Sequence, residues 1–388
     1  MARESRYSLR IMSRALNFNA GPAALPFAAL EKAREELLDF EGSGMSVMEH
    51  SHRGKVYEKV HHEALALVAK HLGLSQEWDV LFVQGGASMA FAQLPMNLLE
   101  KGKVADYIVT GAWGEKAVAE GRACAAFGCG EVAVAATTVK DKSYVRVPKQ
   151  EELKLTLDPA KAAYLHCTSN ETIHGVEYAL DASTPFPRAT SKDVPVVVDM
   201  SSDILGRRVD PSQFDVIYAG AQKNIGPSGV TIVCIKKDLV ARGRKDLPAI
   251  FQYRTHAENQ SLYNTPPTFG IYLVRNVLAL LESQGGVAAA EERNKKKAGL
   301  IYDAIDGSGG FYRCPVDVAC RSIMNVVWRL PTPELEDTFV KEAEKLRMVG
   351  LKGHRSVGGI RASIYNACEV AWVETLTSFM KDFAKAKG

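Results

Sequence analysis

From residue 78 onward, short apolar runs alternate with segments whose apolar residues recur at helical spacing. Residues 78–99 (WDVLFVQGGASMAFAQLPMNLL) and 106–128 each read as a strand, a glycine turn and a helix. Further strands are predicted where apolar runs recur, at 132–138, 162–172, 194–202, 215–223 and 229–237. Several of these runs are continuously apolar, as in strands buried on both faces. The pattern predicts an α/β fold with a mostly parallel, doubly wound sheet flanked by helices.

The segments on either side of this region differ in pattern and define the expected domains. Helices are predicted at 27–40 and 61–74. After residue 282 the pattern gives a long helix at 287–306, then strands and helices of a smaller α+β domain. We therefore predict three parts, which are a disordered N-terminal extension (1–16), a large cofactor-binding domain (17–282) whose segment 17–29 contacts the small domain, and a small C-terminal domain (283–388).

Composition and charge exclude several classes of function. The formal net charge of +3 is too small to predict nucleic-acid binding, and the run Lys295–Lys297, preceded by Glu291 and Glu292, indicates a solvated helix face. No apolar run reaches the roughly 18 residues of a membrane helix. The seven cysteines match no zinc or redox spacing, which predicts mostly buried free thiols and a cytoplasmic location. The arginine-rich residues 1–14 lack a secretory core, and an organelle-targeting role for them stays open.

Candidate chemistry is concentrated where the predicted strands end. In open parallel sheets, ligands bind beyond the carboxyl ends of the strands. Asp199 ends one buried strand and Lys223 follows the next, in YAGAQKNIGPSG. A lysine in an apolar pocket has a lowered pKa and can attack a carbonyl, whereas a buried carboxylate needs a cationic partner. The alternatives are a helix N-cap for Asp199 and a solvated strand-end position for Lys223.

Together, these two residues fit the requirements of pyridoxal phosphate (PLP). That cofactor needs a lysine for its aldehyde, an acid at its ring nitrogen, an anion cradle and a flat partner. GGAS (85–88) can supply the cradle at a helix N-terminus, and Trp113 the flat partner, although a core position for Trp113 remains an alternative. Thr172 can donate a hydrogen bond.

Two competing motifs fail on context. GCGEVA (128–133) resembles a dinucleotide fingerprint, but a strand follows it instead of a helix. HHEAL resembles the start of a zinc-protease motif, but Ala66 stands where the second histidine belongs. His61 and His62 are therefore expected on a helix surface.

The ordered set of motifs resembles the phosphoserine aminotransferase family, class-V members of the fold-type I PLP enzymes. The resemblance covers nearly the whole chain after residue 16. The motifs that carry it are GPAALP, SHR, GGAS with PMNLL, GAWGEKA, SNETIHG, DMSSDIL, YAGAQKNIGPSG, THAENQSLYNTPPTFGIY and GHRSVGGIRASIYNA. The chain departs from the family at Ala90, where Gln is common, and at His50, where an apolar residue is commoner, which leaves fine substrate preference open.

The resemblance implies a role for each matching residue. Lys223 forms the internal aldimine and shuttles a proton, Asp199 pairs with the pyridinium nitrogen, Trp113 stacks on the ring and Thr172 bonds its hydroxyl. The other implied cofactor contacts involve the phosphate and come from Ala87, Ser88, Gln222 and, from the neighbouring subunit of a homodimer, Asn264 and Thr265. Implied substrate contacts are Arg361 for the carboxylate and two His-Arg pairs for the distal anion, His52 with Arg53 and His354 with Arg355. No metal ligand is implied.

The implied reaction is a ping-pong transamination of 3-phosphohydroxypyruvate with glutamate, giving phosphoserine and 2-oxoglutarate in serine biosynthesis. Another fold-type I enzyme, such as an alanine–glyoxylate aminotransferase or a cysteine desulfurase, is the alternative. The two His-Arg pairs argue against it, because those substrates lack a distal anion. A third hypothesis is a non-enzymatic protein that kept the scaffold, against which Lys223, Asp199 and Arg361 argue. Small-molecule substrates and a second copy of the chain are the expected partners, with no nucleic acid and no membrane.

Overall fold

The computed structural model describes residues 14–141, 143–179 and 184–388. Its helices are α1 (Phe27–Glu35), α2 (Lys55–Leu72), α3 (Gly86–Leu98), α4 (Ala112–Ala123), α5 (Lys237–Arg242), α6 (Tyr253–Glu258), α7 (Thr268–Ser283), α8 (Gly286–Asp306), α9 (Pro333–Lys345) and α10 (Val370–Lys387). Its strands are β1 (Leu16–Asn17), β2 (Trp78–Val83), β3 (Val104–Val109), β4 (Glu131–Thr137), β5 (Val139–Lys140), β6 (Ser143–Tyr144), β7 (Ala162–Thr168), β8 (Asn170–Glu171), β9 (Val176–Glu177), β10 (Val196–Asp199), β11 (Val216–Gly220), β12 (Thr231–Lys236), β13 (Asn325–Trp328), β14 (Met348–Val349) and β15 (Ile360–Ser363).

A seven-stranded sheet organises the larger part of the chain. Its strand order is β2-β12-β11-β10-β7-β3-β4, and β12 alone runs antiparallel to its neighbours. All residues of β10 and β11 are buried, which agrees with their continuously apolar sequences. The predicted α/β class and mostly parallel sheet are therefore confirmed.

The strand directions bring five polar segments to one edge of the sheet. Because β2, β3, β7, β10 and β11 all point the same way, the residues that follow them meet at that edge. Helices α3 and α4 follow β2 and β3 after short turns and pack against each other. The edge where these helices begin is the place at which ligands bind in such sheets.

The C-terminal part has its own hydrophobic cluster. Helices α8, α9 and α10 pack around the antiparallel pair β13 and β15, with Trp328, Phe339 and Met380 fully buried. The chain start joins this cluster, because β1 pairs with β14 and Phe18 packs there. We keep the domain boundary at 282/283 as a proposal.

The predicted N-terminal extension lies largely outside the described residues, which begin at Arg14. The guanidinium of Arg14 lies over the rings of Phe27 and Trp372 and donates to the carbonyl of Leu25 at 2.7 Å. Residues 14–16 are therefore packed against the fold, although the prediction counted them in a disordered segment. No helix in the described ranges is both long and apolar enough to cross a bilayer.

Three local predictions were wrong. The first helix ends at Glu35 instead of residue 40, and Gly42 and Gly44 follow it with positive φ. His61 is fully buried, and its Nε2 lies 2.8 Å from the carbonyl oxygen of Gln260, which gives the buried ring a polar partner. Lys297 is also buried, although Lys295 is exposed as predicted.

Candidate active site

Lys223 lies at the sheet edge, three residues after β11 ends. Its side chain is buried, with only 8% of the residue exposed, and its Nζ donates to Thr172 Oγ1 at 2.7 Å. Burial lowers the pKa of this amine to about 8, although the nearby carboxylates Asp199 and Glu171 act in the opposite direction. A substantial neutral fraction of Lys223 is therefore present near pH 8, as a nucleophile or a proton acceptor requires.

Asp199 ends the neighbouring strand β10 and is also buried. Its Oδ1 accepts the Ser201 hydroxyl at 2.6 Å and the Ser201 backbone N–H at 2.8 Å. Burial raises the pKa of Asp199, while Lys223 and Ser201 lower it in part. The carboxyl thus keeps an oxygen without a hydrogen-bond partner among the described residues and is suited to a cationic ligand atom.

A cavity of about 350 Å³ opens beside these two residues. Its wall contains Gly85, Gly86, Ala87, Ser88, Trp113, Asp199, Ser201, Gln222, Lys223, Ser228 and Gly229, together with Gly21 and Pro22. Gly85 and Gly86 have φ of +94° and +67°, so the turn before α3 needs glycine at both positions. The turn presents the N-terminus of α3 to the cavity, which favours an anionic group there.

Trp113 stands in the first turn of α4 and forms one wall of the cavity. The Nζ of Lys223 lies 5.0 Å from the centroid of its ring, and the Nζ of Lys116 lies 4.4 Å from it. Its indole N–H is buried without a hydrogen-bond partner in the described residues. Trp113 is thus half-buried: it packs against the core and also lines the cavity, and its role as the flat partner stays a prediction.

The C-terminal part of the chain brings Arg361, Arg355 and His354 to the surroundings of Lys223. Arg361, on β15, donates from Nη1 to the carbonyl of Thr172 at 3.3 Å, and its buried Nε has no described partner. Partial burial lowers the pKa of His354, and the charges of Arg361, Arg355 and Lys116 lower it further. No carboxylate among the described residues forms an ion pair with Arg361 or Arg355. Unpaired guanidinium groups of this kind favour anionic ligands.

The remaining four predicted site residues lie together, away from this cavity wall. Thr265 Oγ1 lies 3.2 Å from His52 Nδ1, and Asn264 is the neighbour of Thr265. Arg53 is exposed and adjoins His52. Within the described chain, none of the four lines the 350 Å³ cavity.

Sequence reasoning missed two residues at this site. Ser201 bonds Asp199, and its Oγ accepts the backbone N–H of Gly220 at 3.1 Å, so it ties β10 to β11. Glu171 is fully buried, and burial raises the pKa of its carboxyl to about 7, while the N–H groups of Gly114 and Trp113 oppose this rise. Ser201 lies in the motif DMSS and Glu171 in the motif SNET. Their polar side chains, close to Asp199 and Thr172 at the ends of apolar strands, were the signal by which the sequence could have identified them.

The side chains present fit PLP. The lysine amine suits the aldehyde, the buried Asp199 suits a pyridinium, and the glycine turn before α3 leaves room for a phosphate. In the described part of the chain, no group of His, Cys, Asp and Glu side chains could hold a metal ion.

Comparisons with known proteins agree with this chemistry. The family model for aminotransferase class-V matches residues 15–376. A phosphoserine aminotransferase of Niallia circulans is 52% identical over 375 residues, which cover 97% of this chain and 99% of that protein. The solved phosphoserine aminotransferase of Bacillus circulans subsp. alkalophilus superposes with a TM-score of 0.90 at 52% identity, covering 97% of this chain and 99% of that one. A PLP-bound phosphoserine aminotransferase from Trichomonas vaginalis gives a TM-score of 0.87 at 37% identity, covering 95% and 100%.

Proposed function

Because the chain belongs to the phosphoserine aminotransferase family of the class-V aminotransferases, we propose that it is a PLP-dependent phosphoserine transaminase. It transfers the amino group of L-glutamate to 3-phosphohydroxypyruvate and so forms O-phospho-L-serine and 2-oxoglutarate in serine biosynthesis. The observation that carries the proposal is the buried amine of Lys223, which lies between Asp199, Trp113 and the unpaired guanidinium of Arg361.

Residues of this chain would hold the cofactor at five points. Lys223 would hold the aldehyde carbon, Asp199 the protonated ring nitrogen and Trp113 the ring face, while Thr172 offers its hydroxyl. The phosphate would lie at the N-terminus of α3, where Ala87 and Ser88 offer backbone N–H groups and Gln222 adjoins them. When bound, PLP acts as an electron sink that makes the proton on the substrate α-carbon acidic.

The protein's own groups then control proton movement and substrate orientation. Lys223, whose amine has a pKa near 8, accepts the proton from the α-carbon and returns it at the other end of the transfer. Asp199 keeps a proton on the ring nitrogen, because a carboxylate in this buried position favours a cationic neighbour. Arg361 binds the α-carboxylate and orients the substrate.

The distal anion of both substrates distinguishes this reaction from the alternatives. Glutamate carries a carboxylate at the far end and phosphoserine a phosphate. Close to Arg361, Arg355 offers a cationic group and His354 a ring N–H donor for that anion. Substrates of an alanine–glyoxylate aminotransferase or a cysteine desulfurase have no such group. The proposal therefore predicts recognition of two anions, one at each end of the substrate.

A homodimer is part of the proposal. His52, Arg53, Asn264 and Thr265 do not line the cavity of their own chain and, unlike Thr172 and Arg361, form no hydrogen bond with Lys223 or Thr172 in the described residues. Exposed apolar side chains neighbour both segments at Met48 and Tyr263. We propose that these four residues complete the site of a second copy, where His52 and Arg53 bind the distal anion and Asn264 and Thr265 the cofactor phosphate.

The visible spectrum of the purified protein tests the reaction. Bound PLP absorbs in the visible range, and we expect phosphoserine and glutamate, but not alanine, to bleach that band. Lys223→Ala should abolish turnover, whereas Lys237→Ala, an exposed lysine on α5, should leave it unchanged. A band that alanine bleaches best would keep the fold and refute the substrate.

Mixing two inactive variants tests the shared site. Lys223→Ala and Arg53→Ala subunits should each show little activity alone. After unfolding and co-refolding, the preparation as a whole should recover about a quarter of wild-type activity, since about half of randomly paired dimers are mixed and each mixed dimer holds one intact site of two. No recovery on mixing would place Arg53 in its own subunit's site.

We also propose a cytoplasmic location. All seven cysteines are free thiols, and six of them are buried. Free thiols persist in reducing compartments. Fractionation of the source cells tests this, and recovery of the enzyme in an organelle would contradict it.

A further inference from the structure

Glu171 has a buried carboxyl group, and the hydrogen-bond donors that stabilise it there are backbone N–H groups. It ends β8, directly before Thr172, and none of its surface is exposed. Among the described residues it forms no ion pair with Lys, Arg or His within salt-bridge distance, although Lys223 is close enough to act on its pKa. Burying a carboxyl is costly unless strong donors surround it, so its hydrogen bonds are the feature to explain.

Both carboxyl oxygens of Glu171 accept backbone N–H groups from the first turn of α4. Oε2 accepts the N–H of Trp113 at 3.1 Å, and Oε1 accepts the N–H of Gly114 at 2.8 Å. The first N–H groups of a helix have no partner inside the helix. The N-cap position of α4 is Gly111, which has no side chain that could cap them. Glu171 therefore caps α4 from a segment that lies 57 residues away along the chain.

Gly111 makes this cap sterically feasible. A Cβ on residue 111 would lie 2.3 Å from Cδ of Glu171 and 2.5 Å from its Oε2. Any side chain at this position would therefore push the carboxyl away from α4. Glu171 can therefore accept these hydrogen bonds only when residue 111 is glycine.

The cap formed by Glu171 holds the backbone of Trp113, the residue that forms one wall of the cofactor cavity. The indole N–H of Trp113 has no hydrogen-bond partner among the described residues, so beyond packing the ring is contacted by the ammonium groups of Lys116 and Lys223, while no hydrogen bond of the ring sets its orientation. The backbone N–H bonded to Glu171 belongs to Trp113 itself. The position of the indole thus depends on where Glu171 holds the first turn.

We infer that Glu171 is a positioning residue, which holds the indole of Trp113 in the place where the cofactor ring stacks. The inference rests on the proposed function, since it assigns the cavity to PLP. It adds a role for the carboxyl between Asn170 and Thr172, which does not itself line the cavity but holds a residue that does.

Binding of PLP to the cofactor-free protein tests this inference in a double-mutant cycle. The proteins are wild type, Glu171→Gln, Trp113→Ala and the double variant, and the Kd is measured by equilibrium dialysis. Glu171→Gln replaces one acceptor oxygen by an NH₂ group that opposes a backbone N–H. We expect it to weaken binding about tenfold, the factor that a lost hydrogen bond of ~1.4 kcal/mol produces. In the Trp113→Ala background the same substitution should change the Kd less than about twofold, because its effect acts through the indole.

Controls separate positioning from loss of structure. Glu120→Gln, the same substitution on an exposed face of α4, should leave the Kd unchanged. Thermal unfolding of each variant checks the fold, and Glu171→Asp, which keeps the charge, enters the same cycle if the glutamine variant unfolds. If the aspartate variant also unfolds, Glu171 is a purely structural residue and the inference is wrong.

Two results would overturn the inference while leaving the proposed function intact. One is wild-type affinity in Glu171→Gln, and the other is an equal loss of affinity with and without Trp113. Failure of the wild-type protein itself to bind PLP would instead refute the proposed function.

Discussion

Lys223 is predicted to destabilise the cofactor-free protein, and its removal should make that protein more stable. The perturbation is Lys223→Met, which keeps the length of the side chain and removes the charge. Burial lowers the pKa of the amine from 10.5 to about 8, which corresponds to a charging penalty of ~3 kcal/mol in the folded state. This penalty is already net of the attraction to Asp199 and Glu171. The lost hydrogen bond to Thr172 costs about 1 kcal/mol, so the variant should gain ~2 kcal/mol at pH 7.

The pH dependence has a defined sign. In the unfolded chain the lysine keeps its proton up to about pH 10.4, whereas in the folded protein it loses the proton near pH 8. The unfolded state therefore binds more protons between these values, and the stability of the wild type rises with pH. The advantage of Lys223→Met should be full below pH 8 and should disappear by about pH 10.4.

Urea unfolding of cofactor-free protein at pH 7 and pH 10 measures this difference. Lys237→Met, which replaces an exposed lysine, is the matched control and should change the free energy of unfolding little at either pH. A Lys223→Met protein that is less stable than wild type at pH 7 would refute the reasoning. A gain that does not depend on pH would also refute it, because its cause would then be packing.

Replacing either of two other buried cations, Lys297 or Arg207, should destabilise the protein, in contrast to the replacement of Lys223. Burial also lowers the pKa of Lys297 to about 8, but its ammonium donates to three buried carbonyls of residues 364–368 at 2.7, 2.8 and 3.0 Å, and these three charge-assisted bonds outweigh the charging penalty. Lys297→Met should therefore destabilise the protein by ~2 kcal/mol or more, and an unchanged Tm would contradict this. Arg207→Met should cost ~3–5 kcal/mol at pH 8, because it leaves the carboxylates of Asp203 and Glu177 buried without their cation. Its loss should be smaller at pH 5.5, where the carboxyls can take up protons, and unfolding at both pH values checks this.

The sequence predicted the sheet and most of the candidate site because both depend on local patterns. Continuous apolar runs identified the buried strands, and the direction of parallel strands brought Asp199, Thr172 and Lys223 to one edge. The same rule anticipated the glycine turn before α3. The roles of these residues stay predictions, although their proximity could be anticipated from strand ends alone.

Contacts between distant segments lay beyond the sequence pattern. Lys297 follows Lys295 in a basic run, yet it is buried because the carbonyls that bind it come from residues 67 to 71 positions later. His61 is buried for a similar reason, since its partner carbonyl lies 199 residues away. Periodicity identifies the face of a helix but not the polar groups that another segment brings to it.

The amino-acid sequence by itself determined the fold class and the placement of Lys223 and Asp199 at one sheet edge, since hydrophobic periodicity and strand ends specify them, while the catalytic roles of both residues stay predictions. Only the tertiary structure decided how the wall of the cavity is held. Glu171 caps α4 because β8 and the start of that helix meet in space, and Gly111 leaves room for the carboxyl. A helix cap supplied from 57 residues away leaves no mark in local sequence, because its geometry exists only once the sheet has formed.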